Sequence, residues 1–257
     1  MNNLPEHLSY SSISTYLLCP KSWKYRYIDK IPSLPSEALA FGGAFHETIE
    51  DFLRFRGDLE EIWEEKWQEK VSVSEIQFDQ GSVQSLFEDG LRLLSNKEIF
   101  EGLSSIEVMK IDGNPLIETK VSLNIPNVEV PIIGYIDIIE DDGIPADFKT
   151  SHSSWTTQKA ANEIQPLFYL YALEQSVFEL SDYTFTHHIF VKTKMPKYQK
   201  IRTTFDPRQF DWLARLIQNV WHSINQKSFF ENPNTWKCSS KYCDYWSICR
   251  GKFESSF

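Results

Sequence analysis

The residues best placed to do chemistry lie between Gly134 and Thr150, a stretch that carries Asp137, Asp147 and Lys149. If residues 141–143 form a three-residue loop with Gly143 in the left-handed conformation, Glu140 pairs with Ile144 and Asp137 falls opposite Asp147. Directly opposed residues hold their Cβ atoms about 4.5–5.5 Å apart, close enough for two carboxylates to share a divalent cation. Asp147 and Lys149 are two apart on one strand and face the same side. Like charges held that close repel unless a proton or a cation neutralises them. Mg²⁺ suits the pair, because hard oxygen ligands and retained waters leave positions for phosphate oxygens and an attacking water. Lys149 could orient or activate that water, or stabilise charge growing on a phosphorane. The alternative is a solvated hairpin with ordinary acidic residues, and a two-residue loop would turn Asp137 to the opposite face.

Other residues stand at spacings that support the first reading. His46 and Glu50 are one turn apart on a helical stretch, and Gln165 and Tyr169 are likewise four apart on the helix that follows the lysine strand. Alone, each pair reads as ordinary packing. Cys238, Cys243 and Cys249 lie close together, with Cys19 far away near the start. Three such thiols and a distant fourth form a four-ligand site only if the two regions meet; tetrathiolate sites hold zinc or an iron–sulfur cluster. Zinc sites usually use two short-spaced cysteine pairs, so the split of one and three leans away from zinc. Free or disulfide-bonded cysteines are the third option.

The elements that must position these residues follow from capping and periodicity. Ser9 or Ser11 caps a short helix that ends near Cys19-Pro20, and a second carries Trp23 to Ile28. Helical patterns follow at about 37–56, 58–71 and 82–100. Strand-like runs come next, at 105–112, 116–125, 130–140 and 144–150, with turn signals between them. A helix over 164–180, strands over about 183–193 and 198–205, and an amphipathic helix from Pro207 to about Lys227 complete the order. Helices, strands, helix, strands, helix is the order of an α/β core with one mixed sheet flanked by helices.

At 257 residues and 41% hydrophobic the chain can bury a sizeable core. Its formal charge of −10 argues against bulk adhesion to nucleic acid but leaves room for a local basic track. Two stretches interleave basic and aromatic residues: Lys21, Trp23, Lys24, Tyr25, Arg26 and Tyr27, then Lys192, Lys194, Lys197, Tyr198, Lys200 and Arg202. No apolar run is long enough to span a membrane and no signal peptide opens the chain, so a soluble, cytoplasmic protein without a membrane partner is expected.

Taken in order, these pieces resemble the RecB-like branch of the PD-(D/E)XK nuclease superfamily. The matching elements are Leu8-Ser9-Tyr10-Ser11 through Tyr16 and Cys19-Pro20, Gly42 to His46 and Glu50, Gly134 to Asp137, Asp147-Phe148-Lys149-Thr150, and Gln165 to Tyr169 and Ala172. Ile136 stands where many members have proline. The resemblance implies a restriction-endonuclease-like α/β core: a mixed central sheet flanked by helices, a helical N-terminal part and a Cys-rich C-terminus. It implies one nuclease domain over residues 1–257 with a helical insertion at about 51–104. By the same likeness, His46, Asp137, Asp147 and the Phe148 carbonyl would bind Mg²⁺ or Mn²⁺, and Lys149 would be catalytic with the two aspartates. Gln165 and Tyr169 would position DNA and the active site, and either Glu50 or Glu118 could support the ligands from behind.

Members of the AddB and CRISPR-associated kinds close their fold with a [4Fe-4S] cluster on one N-terminal and three C-terminal cysteines. Cys19, Cys238, Cys243 and Cys249 look similar, although Cys238 and Cys243 stand farther apart than usual. The activity implied is metal-dependent hydrolysis of DNA, as an exonuclease on single-stranded or frayed ends, in recombination, repair or CRISPR-type processing. Any helicase or CRISPR partner would be a separate protein. The alternatives are a catalytically inactive DNA-binding scaffold of the same fold, and a structural metal protein built on the cysteines alone.

Overall fold

The computed structural model describes residues 4–33, 36–73, 76, 78 and 82–251. In chain order the elements are β1 (Leu8–Ser9), α1 (Tyr10–Leu18), α2 (Pro20–Tyr27), α3 (Glu37–Phe55), α4 (Leu59–Val73), α5 (Ser82–Leu94) and α6 (Lys97–Ser104). Then come β2 (Lys110–Ile111), β3 (Asn114–Pro115), β4 (Ile117–Leu123), β5 (Ile132–Ile139), β6 (Pro145–Ser151), α7 (Thr157–Ala161) and α8 (Gln165–Glu174). β7 (Thr184–Val191), β8 (Lys197–Thr204), α9 (Gln209–Asn225) and α10 (Trp246–Arg250) complete the order among the described residues. Two compact units emerge. The first gathers residues 1–34, 122–134 and 208–257, and the second residues 35–121 and 135–207.

The central sheet is mixed, with strand order β1-β5-β6-β7-β8 and β4 also paired to β5. β5 and β6 are antiparallel, β6 and β7 parallel, and β7 and β8 antiparallel. A parallel β6–β7 pair needs a crossover, and the segment holding α7 and α8 supplies it. β7 is buried along its whole length, as expected of an interior strand with both faces covered.

In the second unit an aromatic core packs α3 and α4 against the sheet. Phe41, Phe45, Trp63 and Trp67 are buried, and the Trp63 and Trp67 rings stack at 5.4 Å. Phe45 meets Phe190 of β7 edge to face at 5.2 Å, which seats α3 on the sheet face that carries Phe148 and Phe190. Burying each such ring contributes roughly 1.5–3 kcal/mol. Gly90 is required where α5 crosses α4, since a Cβ there would lie 2.1 Å from the Trp63 ring.

The same sheet face holds a buried ionic cluster. Glu140, just past β5, accepts from Thr186 at 3.0 Å, Lys200 at 2.6 Å and Arg202 at 2.7 Å, and lies 3.3 Å from His188 Nε2. Burial opposes the charge, but these partners outweigh it and hold the Glu140 carboxyl well below its usual range. The cluster ties the β5–β6 hairpin to β7 and β8.

In the first unit, Ser9 caps α1 through a reciprocal capping box with Ser12. Trp23 is fully buried between Tyr16, Tyr27 and Phe229. It is a core residue, so the basic and aromatic stretch of α2 does not offer this ring to a ligand. α9 buries Phe210, Leu213, Ile217, Val220, Trp221 and Ile224 along one face.

Three boundaries differ from the periodicity, and several short elements were not signalled. The helical pattern over 82–100 is two helices, because the Asn96 side chain accepts from Ile99 N and starts α6. The helix from 164 stops at Glu174, where Ser176 takes the Leu173 carbonyl and the Phe178 N–H. Only Lys110–Ile111 of the run 105–112 forms a strand, paired with Asn114–Pro115 across a left-handed Asp112-Gly113 turn. β1, β3, α7 and α10 were not signalled, being two to five residues long. Among the described residues no helix is long and apolar enough to cross a membrane.

Candidate active site

Gly143 has φ +82°, and Glu140 donates to the Ile144 carbonyl at 2.9 Å while accepting from Gly143 N at 2.8 Å. The three-residue loop therefore forms, and pairing runs through Ile139↔Pro145 and Ile138↔Ala146. One step further in this register sets Asp137 opposite Asp147. There the Asp137 side chain replaces a main-chain acceptor, as its Oδ2 takes the Phe148 N–H at 2.7 Å. Asp137 and Asp147 are 7% and 2% exposed, so two carboxylates sit out of bulk water side by side.

Lys149 lies on the same face. Its ammonium donates to Asp147 Oδ1 at 2.8 Å and to Gln165 Oε1 at 3.0 Å. The Gln165 amide then donates to the Tyr169 hydroxyl at 3.0 Å, one turn along α8. Tyr169 stacks on Phe185 at 6.1 Å, which fixes α8 on the sheet face opposite α3. Asp147 Oδ2, also buried, lies 2.6 Å from the same ammonium, so both carboxylate oxygens are paired with Lys149.

α3 brings His46 from the other side. Its Nε2 is 2.6 Å from the Phe148 carbonyl and its Nδ1 is 3.5 Å from Asp137 Oδ2. Since the carbonyl can only accept, the proton belongs on Nε2. Glu50, one turn on, shares a hydrogen bond with Glu118 of β4. Glu118 has φ +53°, a left-handed conformation inside a strand that costs on the order of 1–3 kcal/mol in a non-glycine residue. His46, Glu50, Glu118 and Lys149 line an open hollow of about 590 Å³, with Gly42 and Gly43 forming part of its wall. A Cβ on Gly42 would meet nothing within 4 Å, so the wall above His46 stays low.

The charges follow from burial and proximity. Burial, then the Asp147 charge, pushes the Asp137 carboxyl well up; Lys149 and the Phe148 N–H oppose this without cancelling it. Burial would lower the Lys149 ammonium, but the two aspartates outweigh it and raise its pKa, so Lys149 is charged. Burial lowers the His46 imidazole, keeping it neutral. Burial and the Glu118 charge lift Glu50 to about 7. His187, paired with Asp147 across β6 and β7, is pushed down to about 4 by burial, and its Nδ1 has no partner. Sequence reasoning passed over His187, for nothing local sets it apart from His188.

The donor set, with two carboxylates, a main-chain carbonyl and a neutral imidazole, is one that suits a hard or borderline divalent cation. Among the described residues no three His, Cys, Asp or Glu side chains are arranged to hold a metal ion as they stand. The candidate ligand atoms are engaged with one another instead, His46 with Phe148 and Asp147 with Lys149. In the first unit Cys19, Cys238, Cys243 and Cys249 are free thiols that line one cavity of about 50 Å³. Burial raises Cys243 and Cys249, and the neighbouring thiols of Cys19 and Cys238 add to it.

A profile of the PD-(D/E)XK nuclease superfamily matches residues 7–250, and the chain belongs to that superfamily. Among solved structures, the Eubacterium rectale protein named "Putative exonuclease" superposes with a TM-score of 0.63 at 10% identity, over 97% of this chain and 90% of that one. At that identity the likeness is one of fold, and it agrees with the mixed sheet flanked by helices. A second structure, of the protein SSO0001, aligns over 94% of this chain and 97% of its own at 16% identity, but with a TM-score of 0.34 it adds no argument. No curated protein matches the chain.

Proposed function

We propose that the chain is a Mg²⁺- or Mn²⁺-dependent DNA nuclease, one domain over residues 1–257, that works from single-stranded or frayed ends. The observation that carries this reading is the buried pair Asp137 and Asp147 with the Lys149 ammonium held between Asp147 and Gln165. Asp137, Asp147, the Phe148 carbonyl and His46 would hold the cation, which when bound supplies Lewis-acid polarisation of the phosphodiester and a more acidic water. Lys149 carries its proton at rest and donates to the oxygen on which charge grows at phosphorus. Gln165 keeps Lys149 from collapsing fully onto Asp147, and Tyr169 keeps the Gln165 amide in the one orientation that offers Oε1 to a cation. The low Gly42 wall admits a strand to the hollow beside His46.

Asp147→Ala and Lys149→Ala are expected to bind an oligonucleotide and not cut it. Wild-type cleavage by both variants would refute the assignment. Strands labelled at one end or the other, with circular controls, read polarity and end-dependence together, and an enzyme that cuts circles as fast as linear strands is no exonuclease.

Cys19, Cys238, Cys243 and Cys249 are read as holding a [4Fe-4S] cluster. Four thiols around one cavity support this. Its part would be structural, tying the α1–α2 junction to the C-terminal segment as a loop closure does. Anaerobically purified protein should be brown and carry iron; folded, active, iron-free protein would end the proposal.

A further inference from the structure

Charge is divided unevenly along this chain. The first unit holds 11 Lys and Arg against 7 Asp and Glu, a net of +4, and the second holds 15 against 29, a net of −14. A polyanion is attracted to the first and repelled by much of the second outside its cation pocket. The basic unit also divides its aromatic rings. Trp23 and Tyr16 are buried, whereas Trp236 is 70% exposed and Tyr242 49%. The two exposed rings meet edge to face at 5.7 Å. The Lys241 ammonium lies 5.2 Å over the Tyr242 ring, and the Arg250 guanidinium 5.0 Å over Trp246.

The backbone that carries these rings is built of turns. Cys238 N donates to the Thr235 carbonyl at 2.9 Å and Cys243 N to the Ser239 carbonyl at 2.9 Å, so consecutive turns shape the segment that carries both. An indole left largely in water gains little from folding. Every nucleobase has a π-face, and stacking on an aromatic side chain with a cation alongside is the sequence-tolerant way to hold an unpaired strand.

We propose that Trp236, Tyr242 and Lys241 form a stacking platform for the unpaired bases of single-stranded nucleic acid. This rests on the nuclease reading and names the form in which substrate meets the first unit. Bases would stack on the two rings, and Lys241 would meet the phosphates between them.

The test is fluorescence anisotropy of the full-length protein in EDTA, so that binding is read apart from cleavage, with an oligothymidine, an abasic strand of equal length and a duplex as probes. Wild type should bind oligothymidine about tenfold or more tighter than the abasic strand. The W236A/Y242A variant should lose that preference while unfolding at the wild-type temperature, and W236F/Y242F, which keeps two rings, should retain it. Lys241→Gln should lower the salt dependence by about one released counterion. Equal binding of oligothymidine by wild type and W236A/Y242A overturns the platform, as does wild-type indifference to the missing bases. So does a loss of duplex binding as large as the loss of single-strand binding. If the rings prove neutral for DNA but their removal changes the sedimentation coefficient, the surface joins copies of the chain and the proposal falls. A wild type that binds no DNA would overturn the nuclease reading as well, whereas one that cuts DNA without needing the rings overturns this surface alone.

Discussion

Asp137 bears opposite demands from folding and from chemistry, and two substitutions separate them. Asp137→Ala removes the acceptor of the buried Phe148 N–H, which costs about 1–3 kcal/mol. Asp137→Asn keeps an acceptor and removes the charge. Two carboxylates about 5 Å apart repel by roughly 3 kcal/mol at an effective dielectric of 20, and Lys149 returns much of that. The carboxyl is nonetheless raised, so the net effect of burial and repulsion is unfavourable to the charged form. A raised carboxyl contributes its stability below the unfolded pKa and loses it as pH rises through the folded one. Asp137→Asn should therefore match wild type below about pH 4, where folded and unfolded chains both carry the proton, and exceed it at pH 8, with Asp137→Ala below both. At about 2–4 °C per kcal/mol for a chain of this size, thermal unfolding followed by circular dichroism in EDTA resolves the order. Added Mn²⁺ should raise the wild-type midpoint and leave both variants unmoved. An asparagine variant less stable than wild type at pH 8 would rule out the repulsion at Asp137, and one that keeps the full Mn²⁺ response would rule out Asp137 as a ligand.

Glu50, lifted to about 7, binds a proton in the folded state that the unfolded state has released above about pH 4.5, so it withdraws stability as pH rises from about 4.5 to 7. Glu50→Gln should flatten that slope and add about 1–2 kcal/mol at pH 8, the roughly 3 kcal/mol implied by the shift being cut by solvent screening; an unchanged slope of unfolding free energy against pH would count against the Glu50–Glu118 pair. Tyr169→Phe frees the Gln165 amide to rotate and should slow cleavage about tenfold with under about 1.5 kcal/mol of destabilisation, and unchanged single-turnover rates would remove Tyr169 from the site. Gly143→Ala must hold φ +82° against its Cβ and should cost about 1 kcal/mol, with Gly143→Asn milder; hydrogen exchange at Glu140 and Gly143 reads whether the loop persists.

Much of the site was legible because it is local. Gly143 set a hairpin register that opposes Asp137 to Asp147, and strand alternation put Lys149 beside them. His46 and Glu50, like Gln165 and Tyr169, were paired by the helical repeat. What escaped was non-local. Trp23 sits in a run of basic and aromatic residues that reads as exposed, yet Phe229 closes over it. Trp236 and Tyr242, in a stretch without periodicity, are the rings left outside. Glu118 faces Glu50 through a left-handed residue that no pattern signals.

By itself, then, the sequence determined which side chains share a strand or a helix face, since those spacings depend only on the pleat and on the helical turn. Tertiary structure alone decided that α3 and α8 approach Phe148 and Lys149 from opposite sheet faces. It also decided that Lys149 is held charged between Asp147 and Gln165, and that Cys19 joins the distant Cys238, Cys243 and Cys249 around one cavity. Burial and the convergence of remote segments set these, and both are properties of how the whole chain packs.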